Sequence, residues 1–250
     1  MATQSVEFAK VSFMPAGGRE ILRDVSLRVE PGTTTALLGR SGSGKTTLLR
    51  TVNALVTPTS GRVLIGNNDV ATAEVIPLRR SIGYVIQENG LFPHMTVARN
   101  VALPLLFAGD QNSETIEHRV ELMLSMVGLN YAEFGARYPW QLSGGQRQRV
   151  GLARALVAEP KVLLMDEPFG ALDPLTRAEM QNMLRNLLHA LGVTTIVVTH
   201  DLDEALYLAD RVVLLEEGRV TADLAATEVR SSEIVAVRKY VAATRRSDTA

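Results

Sequence analysis

The sequence has no cysteine, few aromatic residues and no long apolar run. The lack of cysteine excludes a disulfide framework and every thiolate metal site. The longest stretch without an acidic residue, lysine or arginine, 186–200, is shorter than the roughly 20 apolar residues that a membrane-spanning helix needs. The start, MATQSVEFAK, lacks the basic and apolar segments of a secretion signal. We therefore expect a cytoplasmic protein.

Charge and length narrow the class of protein further. The 250 residues include 26 basic and 27 acidic side chains, for a formal net charge of −1. Proteins held on nucleic acid by electrostatic attraction usually present a basic surface, so we expect no nucleic-acid partner. The length suits one large α/β domain, or a core with a small subdomain.

Hydrophobic patterning predicts a parallel sheet covered by helices. Short apolar runs without alternation are typical of strands that are buried on both faces, and they occupy 35–38, 162–165, 196–198 and 212–215. Residues 174–191 have the apolar spacing of a helix. The N-terminal segments VEFAKVSF and DVSLRV alternate instead, which predicts half-exposed antiparallel strands.

We accordingly predict one α/β domain over 1–250 with three parts. These are an N-terminal antiparallel β-subdomain, a core with a parallel sheet, and an inserted helical subdomain at about 88–157. A short helical tail is expected at about 222–250.

Residues 39–46, GRSGSGKT, match the phosphate-binding pattern G-x-x-x-x-G-K-[ST] between an apolar run and a helical segment. Glycines let backbone N–H groups turn toward phosphate oxygens, and the following helix adds its positive end. Lys45, one of only four lysines, would reach the β- and γ-phosphates, and the Thr46 hydroxyl would bind Mg²⁺. The predicted ATP-binding residues of this loop are Gly39, Arg40, Ser41, Gly42, Ser43, Gly44, Lys45, Thr46 and Thr47.

Two carboxylates, Asp166 and Glu167, follow the apolar run at 162–165. An acidic pair after a strand is often only a cap or a turn. Beside a phosphate loop, however, an acid at a strand end holds Mg²⁺, and we assign this role to Asp166. Glu167 is then placed to orient and deprotonate an attacking water, because a carboxylate can act as a general base.

The segment LSGGQ contains Ser143, Gly144, Gly145 and Gln146, and Gly145 stands 21 residues before Asp166. With this motif in this order, the chain resembles the ATP-binding cassette (ABC) ATPases. The resemblance implies a P-loop NTPase fold and ATP hydrolysis. It also implies that these four residues contact the γ-phosphate of ATP bound to a second copy of the chain.

The same resemblance assigns three further positions. Gln87, after SIGYVI, is similar to the glutamine that contacts Mg²⁺, takes part in catalysis and links the core to the helical subdomain. Asp173 resembles the acid at the dimer interface. His200 resembles the histidine that contacts the γ-phosphate and the attacking water; the alternative is a histidine that only starts a helix.

One position departs from the family pattern. Family members usually stack an aromatic residue of the first β-turn on adenine, and Pro15 occupies the corresponding place. Either Phe13 takes this role with shifted geometry, or adenine stacking is weak here.

The resemblance leaves several kinds of cassette open. We expect the ATPase subunit of an importer, on the cytoplasmic face of the membrane, bound to separate permease subunits and served by a solute-binding protein. The surface around residues 87–101, with the apolar residues of GLFPHMTV beside Gln87, is the expected docking site for the permease. The amino-acid sequence around the motifs is most similar to that of osmoprotectant importers for glycine betaine, choline or carnitine. Methionine, amino-acid or betaine-like thiol importers are alternatives, as is a soluble cassette outside transport.

Overall fold

The computed structural model describes residues 3–86, 90–109, 112–170 and 172–247, with side chains up to 244. No helix within these ranges has both the length and the apolar character needed to cross a bilayer. The strands are, in chain order, β1 (Val6–Phe13), β2 (Leu22–Val29), β3 (Thr34–Leu38), β4 (Ser60–Ile65), β5 (Asn68–Asp69), β6 (Ile82–Val85), β7 (Val162–Asp166), β8 (Thr194–Thr199), β9 (Arg211–Glu216) and β10 (Arg219–Ala225). The α-helices are α1 (Lys45–Val52), α2 (Val75–Arg80), α3 (Val97–Ala108), α4 (Ser113–Met126), α5 (Tyr131–Phe134), α6 (Gly144–Leu156), α7 (Pro174–Leu191), α8 (Leu202–Leu208) and α9 (Val235–Ser247).

The larger sheet has six strands in the order β10-β9-β3-β8-β7-β6. All its neighbours are parallel except the β9–β10 pair, which is antiparallel. The apolar runs predicted as buried strands form β3, β7, β8 and β9. The predicted α/β fold with a parallel core is therefore confirmed.

Side chains of the parallel strands enter two separate hydrophobic cores. Leu37 of β3 packs with Val6 and Phe8 of β1, between the two sheets. Its neighbours Ala36 and Leu38 pack on the other face, against the helices. Alternate residues of a strand point to opposite faces, so a strand covered on both sides carries consecutive apolar residues, as Ala36, Leu37 and Leu38 do here.

The smaller sheet is antiparallel, with the strand order β2-β1-β4-β5. Along β2, buried Val25, Leu27 and Val29 alternate with exposed residues. This is the alternation that the sequence shows, and the antiparallel pairing predicted for the two N-terminal segments is confirmed.

Helices α3 to α6 lie in the connection between β6 and β7. They bury an apolar face that includes Val101, Leu124 and Val150. The helix predicted over 174–191 is confirmed as α7, which begins after the cap residue Asp173 and ends at Gly192, with φ 58°. Glycine suits this left-handed position because it has no Cβ.

The tail differs from the prediction, because residues 222–225 belong to strand β10 and not to a helix. Glu217 and Gly218 both have positive φ, 48° and 79°, which joins β9 and β10 in a tight hairpin. Across the hairpin the Arg211 guanidinium donates to both carboxylate oxygens of Asp223. Pairing with β9 outweighs local helical preference, and the α-helix starts only at Val235.

Candidate active site

Loops that follow three adjacent parallel strands meet at one edge of the larger sheet. β3 lies beside β8 and β8 lies beside β7, so their last residues, Leu38, Thr199 and Asp166, are close together. Ligands of open α/β sheets bind outside the carboxyl ends of the strands. The predicted residues that follow these strands are thereby brought to one place.

The phosphate loop depends on glycine at two positions. A Cβ on Gly39 would lie 2.3 Å from the backbone carbonyl oxygen of Leu215. Gly44, just before α1, has φ 103°, which L side chains rarely adopt. The loop is also anchored from the β9–β10 hairpin, since the Gly218 N–H donates to the carbonyl oxygen of Ser43 at 3.1 Å.

Lys45 is the first residue of α1, and its side chain is buried beneath the loop. Its ammonium donates to the carbonyl oxygens of Gly39 at 2.7 Å and Arg40 at 3.0 Å. Burial lowers the pKa of Lys45, and the nearby carboxylates of Glu167 and Asp166 partly oppose that shift. A cation enclosed by a loop at a helix N-terminus is well placed to bind a phosphate.

Thr46 connects the phosphate loop to the carboxylate at the end of β7. Its hydroxyl donates a hydrogen bond of 2.8 Å to Oδ1 of buried Asp166, and the Arg50 guanidinium lies 3.8 Å from Oδ2. Within the described part of the chain, the buried Ser43 hydroxyl has no hydrogen-bond partner. The hydroxyl and carboxylate oxygens of Thr46 and Asp166 are the hard donors that suit Mg²⁺.

Glu167 and His200 face each other from the ends of adjacent strands. The His200 Nδ1 lies 3.5 Å from Glu167 Oε2, and the two side chains are 63% and 27% exposed. Glu167 has φ 47°, and its N–H donates to the carbonyl oxygen of Val198 at 3.0 Å. A positive φ is uncommon for a residue with a side chain, and such backbone conformations are concentrated at active sites.

A small pocket of about 50 Å³ lies beside this pair and includes a buried acid, Glu204. Burial raises the pKa of Glu204 to about 7; the Thr199 hydroxyl and Arg177 oppose the shift, and Asp201 adds to it. The Asp201 carboxylate accepts a hydrogen bond from the Glu204 N–H at 3.0 Å and so caps α8. The helix cap is therefore Asp201, which leaves the His200 side chain free for another role.

The LSGGQ residues form the start of α6. The Ser143 hydroxyl accepts from the Gln146 N–H at 3.2 Å, and the Gln146 side chain accepts from the Ser143 N–H at 2.9 Å. This reciprocal pair is a capping box. At this positive helix end Ser143 is exposed and Gly144, which presents no side chain, is half-buried. Such an end can bind an anion.

Asp173 and Gly145, a residue of this helix end, both lie next to Thr176. A Cβ on Gly145 would lie 2.6 Å from Cγ2 of Thr176, and the Asp173 carboxylate accepts from the Thr176 N–H at 3.0 Å. Hydrogen bonds from Thr176 lower the pKa of the Asp173 carboxyl, which is exposed. Asp173 and the LSGGQ residues therefore share one surface, which the sequence alone did not indicate.

Phe13, the candidate for adenine stacking, ends β1 near the phosphate loop. Its carbonyl oxygen accepts from the Ile21 N–H at 2.8 Å, and Ile21 lies against Gly44 of the loop. The Phe13 ring, however, is partly buried against the core between the sheets. Pro15 lies beyond it in the turn.

Two residues near the site were not identified from sequence. Tyr240 of α9 contacts the backbone of His200, and Arg50 of α1 lies near Asp166. Arg50 is four residues after Thr46 on α1, a spacing that places two side chains side by side and could have suggested proximity; nothing in the sequence indicated Tyr240. Gln87, the predicted Mg²⁺ contact, lies outside the described residues, and its role remains a prediction.

Comparison with known proteins places this geometry in a family. An ATP-binding cassette, "MJ0796 bound to ADP and Pi" in a dimeric post-hydrolysis state, aligns with a TM-score of 0.78 and 35% identity, over 88% of this chain and 98% of that one. The "Carnitine transport ATP-binding protein OpuCA" of Listeria monocytogenes is 44% identical over 86% of this chain and 54% of its own length. The "Sulfate/thiosulfate import ATP-binding protein CysA" of Caulobacter vibrioides is 52% identical over 80% of this chain and 58% of its own length.

The chain thus spans little more than half the length of these two curated relatives. The model of the ABC transporter family matches residues 22–170, from the start of β2 to just beyond Glu167. This match includes the phosphate loop, the LSGGQ residues and the carboxylate pair. With 149 of its 250 residues in that match, the chain belongs to the ABC transporter family.

Proposed function

We propose that this chain binds Mg·ATP and hydrolyses it, and that this hydrolysis drives solute import. The observation that carries the proposal is the hydrogen bond of 2.8 Å from the Thr46 hydroxyl to Asp166. It joins the phosphate loop to the strand end that bears Glu167, the candidate general base. Nucleotide binding and water activation thereby share one small site.

Different residues of the site bind the phosphates, hold Mg²⁺ and activate the attacking water. Lys45 and the backbone N–H groups of the loop hold the phosphates of ATP. Thr46 and Asp166 would hold Mg²⁺, which would neutralise phosphate charge when it is bound. Glu167 accepts a proton from the attacking water, and His200, 3.5 Å from Glu167, orients that water against the γ-phosphate.

The site of one chain is incomplete, so we propose that two copies act together. The LSGGQ residues start α6, whereas the phosphate loop precedes α1. In a head-to-tail dimer, the start of α6 on one copy would cover the γ-phosphate on the other. Asp173, on the same surface as LSGGQ, would lie at the interface. Enclosure would exclude water and strengthen each charge contact.

A groove beside the helices offers a place for a permease subunit. It has a volume of about 570 Å³ and is lined by exposed apolar side chains that include Ile76, Phe92 and Phe107. Phe92 is held in place because its N–H and carbonyl both hydrogen-bond to the buried Asn100 side chain, at 2.8 and 3.1 Å. The groove also borders the end of β6, just before Gln87. We therefore propose that the permease docks here, on the cytoplasmic face of the membrane.

We propose a quaternary amine such as carnitine or glycine betaine as the imported solute, delivered to the permease by a solute-binding protein. The name of the carnitine relative supports this choice. The sulfate/thiosulfate relative makes an inorganic anion the second candidate. Uptake of labelled glycine betaine and labelled sulfate, in cells that carry the chain with its neighbouring permease genes, decides between them.

Thr46 tests the hydrolytic part of the proposal. We expect Thr46→Val to lose Mg²⁺-dependent ATPase activity and Thr46→Ser to keep most of it, because serine retains the hydroxyl. Equal activity of the two variants would contradict the role of this contact.

Phe92 tests the docking part. We expect Phe92→Asp to prevent the chain from sedimenting with permease-containing membranes while leaving its basal hydrolysis intact. Leu122→Asp is the matched control, since Leu122 is an exposed leucine on α4 that does not line the groove. A Phe92→Asp chain that still sediments with the permease would contradict docking in this groove.

A further inference from the structure

Trp140, the only tryptophan of the chain, lies on the surface beside LSGGQ, and its residue is 64% exposed. Its ring stacks on that of Tyr138, with centroids 4.5 Å apart and an angle of 13° between the planes. Because Tyr138 covers one face of the indole, the opposite face is available to solvent. A flat aromatic surface of this kind can stack on a further ring.

The backbone around Trp140 is firmly held. The Tyr138 N–H donates to the Gln141 side chain at 2.8 Å, and the Gln141 N–H donates back to the Tyr138 carbonyl at 2.9 Å. The next residue, Leu142, is buried, and its carbonyl accepts from the Arg147 guanidinium at 2.7 Å. The indole is therefore carried on a fixed turn.

Trp140 precedes Ser143 closely enough in the chain for both residues to contact one nucleotide. Ser143 is three positions after Trp140, so the two Cα atoms are at most about 11 Å apart. An anion-binding helix end and an aromatic face so close together match the two ends of a nucleotide, its phosphates and its base. The candidate stacking residue on the nucleotide's own chain, Phe13, is partly buried against the core.

We infer that Trp140, supported by Tyr138, stacks on the adenine of ATP that is bound to the second copy of the chain. This inference rests on the proposed two-copy site. It makes Trp140 a specificity-determining residue for the base, whereas the start of α6 contacts the phosphates. Each ATP would then be held by both copies, its phosphates by one phosphate loop and its adenine by Trp140 of the second copy, so that the base itself would favour association.

The fluorescence of Trp140 reports directly on this contact, because no other tryptophan contributes. The Glu167→Gln chain, which should hold ATP without hydrolysing it, is mixed with Mg²⁺ and either ATP or inorganic tripolyphosphate. Association is followed in parallel by light scattering. We expect ATP to quench the emission as dimers form, and tripolyphosphate, which lacks a base, to leave it unchanged.

Substitutions test the same contact through affinity. In the Glu167→Gln background, we expect Trp140→Leu to raise the ATP concentration needed for dimerisation about 5- to 150-fold, the equivalent of about 1–3 kcal/mol of stacking. Trp140→Phe keeps an aromatic face and should raise that ATP concentration much less. Binding of labelled ATP to dilute monomers should be the same in all three chains, since the contact is made by the second copy.

The possible outcomes distinguish a failure of this inference from a failure of the two-copy site on which it rests. If dimers form with ATP but Trp140→Leu dimerises as readily as its parent, the stacking role is wrong and the two-copy site stands. If both variants lose monomer binding of ATP equally, Trp140 acts in folding and the inference is again overturned. If the Glu167→Gln chain never dimerises, the two-copy site fails, and the inference fails with it.

Discussion

The phenolic hydroxyl of Tyr240 donates a hydrogen bond of 2.7 Å to the backbone carbonyl oxygen of His200. Tyr240 belongs to the last helix, α9, whose Val237 and Val241 pack with Leu38, the residue before the phosphate loop. Burial raises the pKa of Tyr240 to about 12, so the hydroxyl remains a donor at neutral pH. The C-terminal helix therefore supports both sides of the candidate site.

We predict that Tyr240→Phe lowers the single-turnover rate of ATP hydrolysis by up to about tenfold, because one hydrogen bond contributes about 0.5–1.5 kcal/mol. ATP affinity should not change, since His200 does not anchor the nucleotide. Tyr207→Phe is the matched control, because the Tyr207 hydroxyl bonds to Asn182. Equal rates for both variants would show that α9 supports the fold alone.

We predict that Lys45→Ala loses most of its ATP binding. The ammonium would contact phosphate in the ground state and in the transition state alike, so its removal weakens both. Equilibrium binding of labelled ATP measures the loss. An alanine variant that binds ATP normally but hydrolyses it slowly would assign Lys45 to the transition state only.

We predict that Glu167→Gln keeps ATP binding and slows hydrolysis by about 10²–10⁴, the usual contribution of a general base. Glutamine has nearly the same shape, but it cannot accept the proton of the attacking water. The trapped ATP should then hold two copies together, and light scattering with and without ATP detects this. A chain that stays monomeric at millimolar ATP would contradict the two-copy site.

His200→Ala should resemble Glu167→Gln and not Lys45→Ala. The side chain is 63% exposed, and Asp201 already caps α8, so its removal should leave the melting temperature almost unchanged. Single-turnover hydrolysis and ATP affinity, measured on one preparation, separate the roles. Hydrolysis near the parent rate would remove His200 from the reaction.

Patterns in the sequence predicted β3, β7 and β8 because both faces of these strands are buried, which leaves an unalternated apolar run in each of them. The site residues in the loops after β3 and β7 were also predicted, because the phosphate-loop motif and the carboxylate pair each directly follow an apolar run. Tyr240 could not be predicted, because its partner lies 40 residues earlier and only the packing of α9 brings them together. Strand β10 was missed because the hairpin at Gly218 depends on pairing with β9.

Glu204 provides a prediction about pH. Burial raises its pKa from an ordinary value of 4.5 to about 7, so the folded chain keeps this proton at a pH where the unfolded chain has lost it. Between these two values the folded state binds more protons, and the free energy of unfolding must fall as the pH rises. The loss should total about 3 kcal/mol by pH 7, because each tenfold change in proton affinity corresponds to about 1.4 kcal/mol.

Glu204→Gln removes the titrating group and keeps its size. Its free energy of unfolding should therefore decline less than that of the parent between pH 4.5 and 7. Urea unfolding at several pH values measures both slopes. Glu228→Gln, a change at an exposed acid, is the control and should follow the parent. If Glu204→Gln and the parent lose stability in parallel, Glu204 is ionised in the folded chain, and a negative charge lies buried beside Glu167 and His200 at neutral pH.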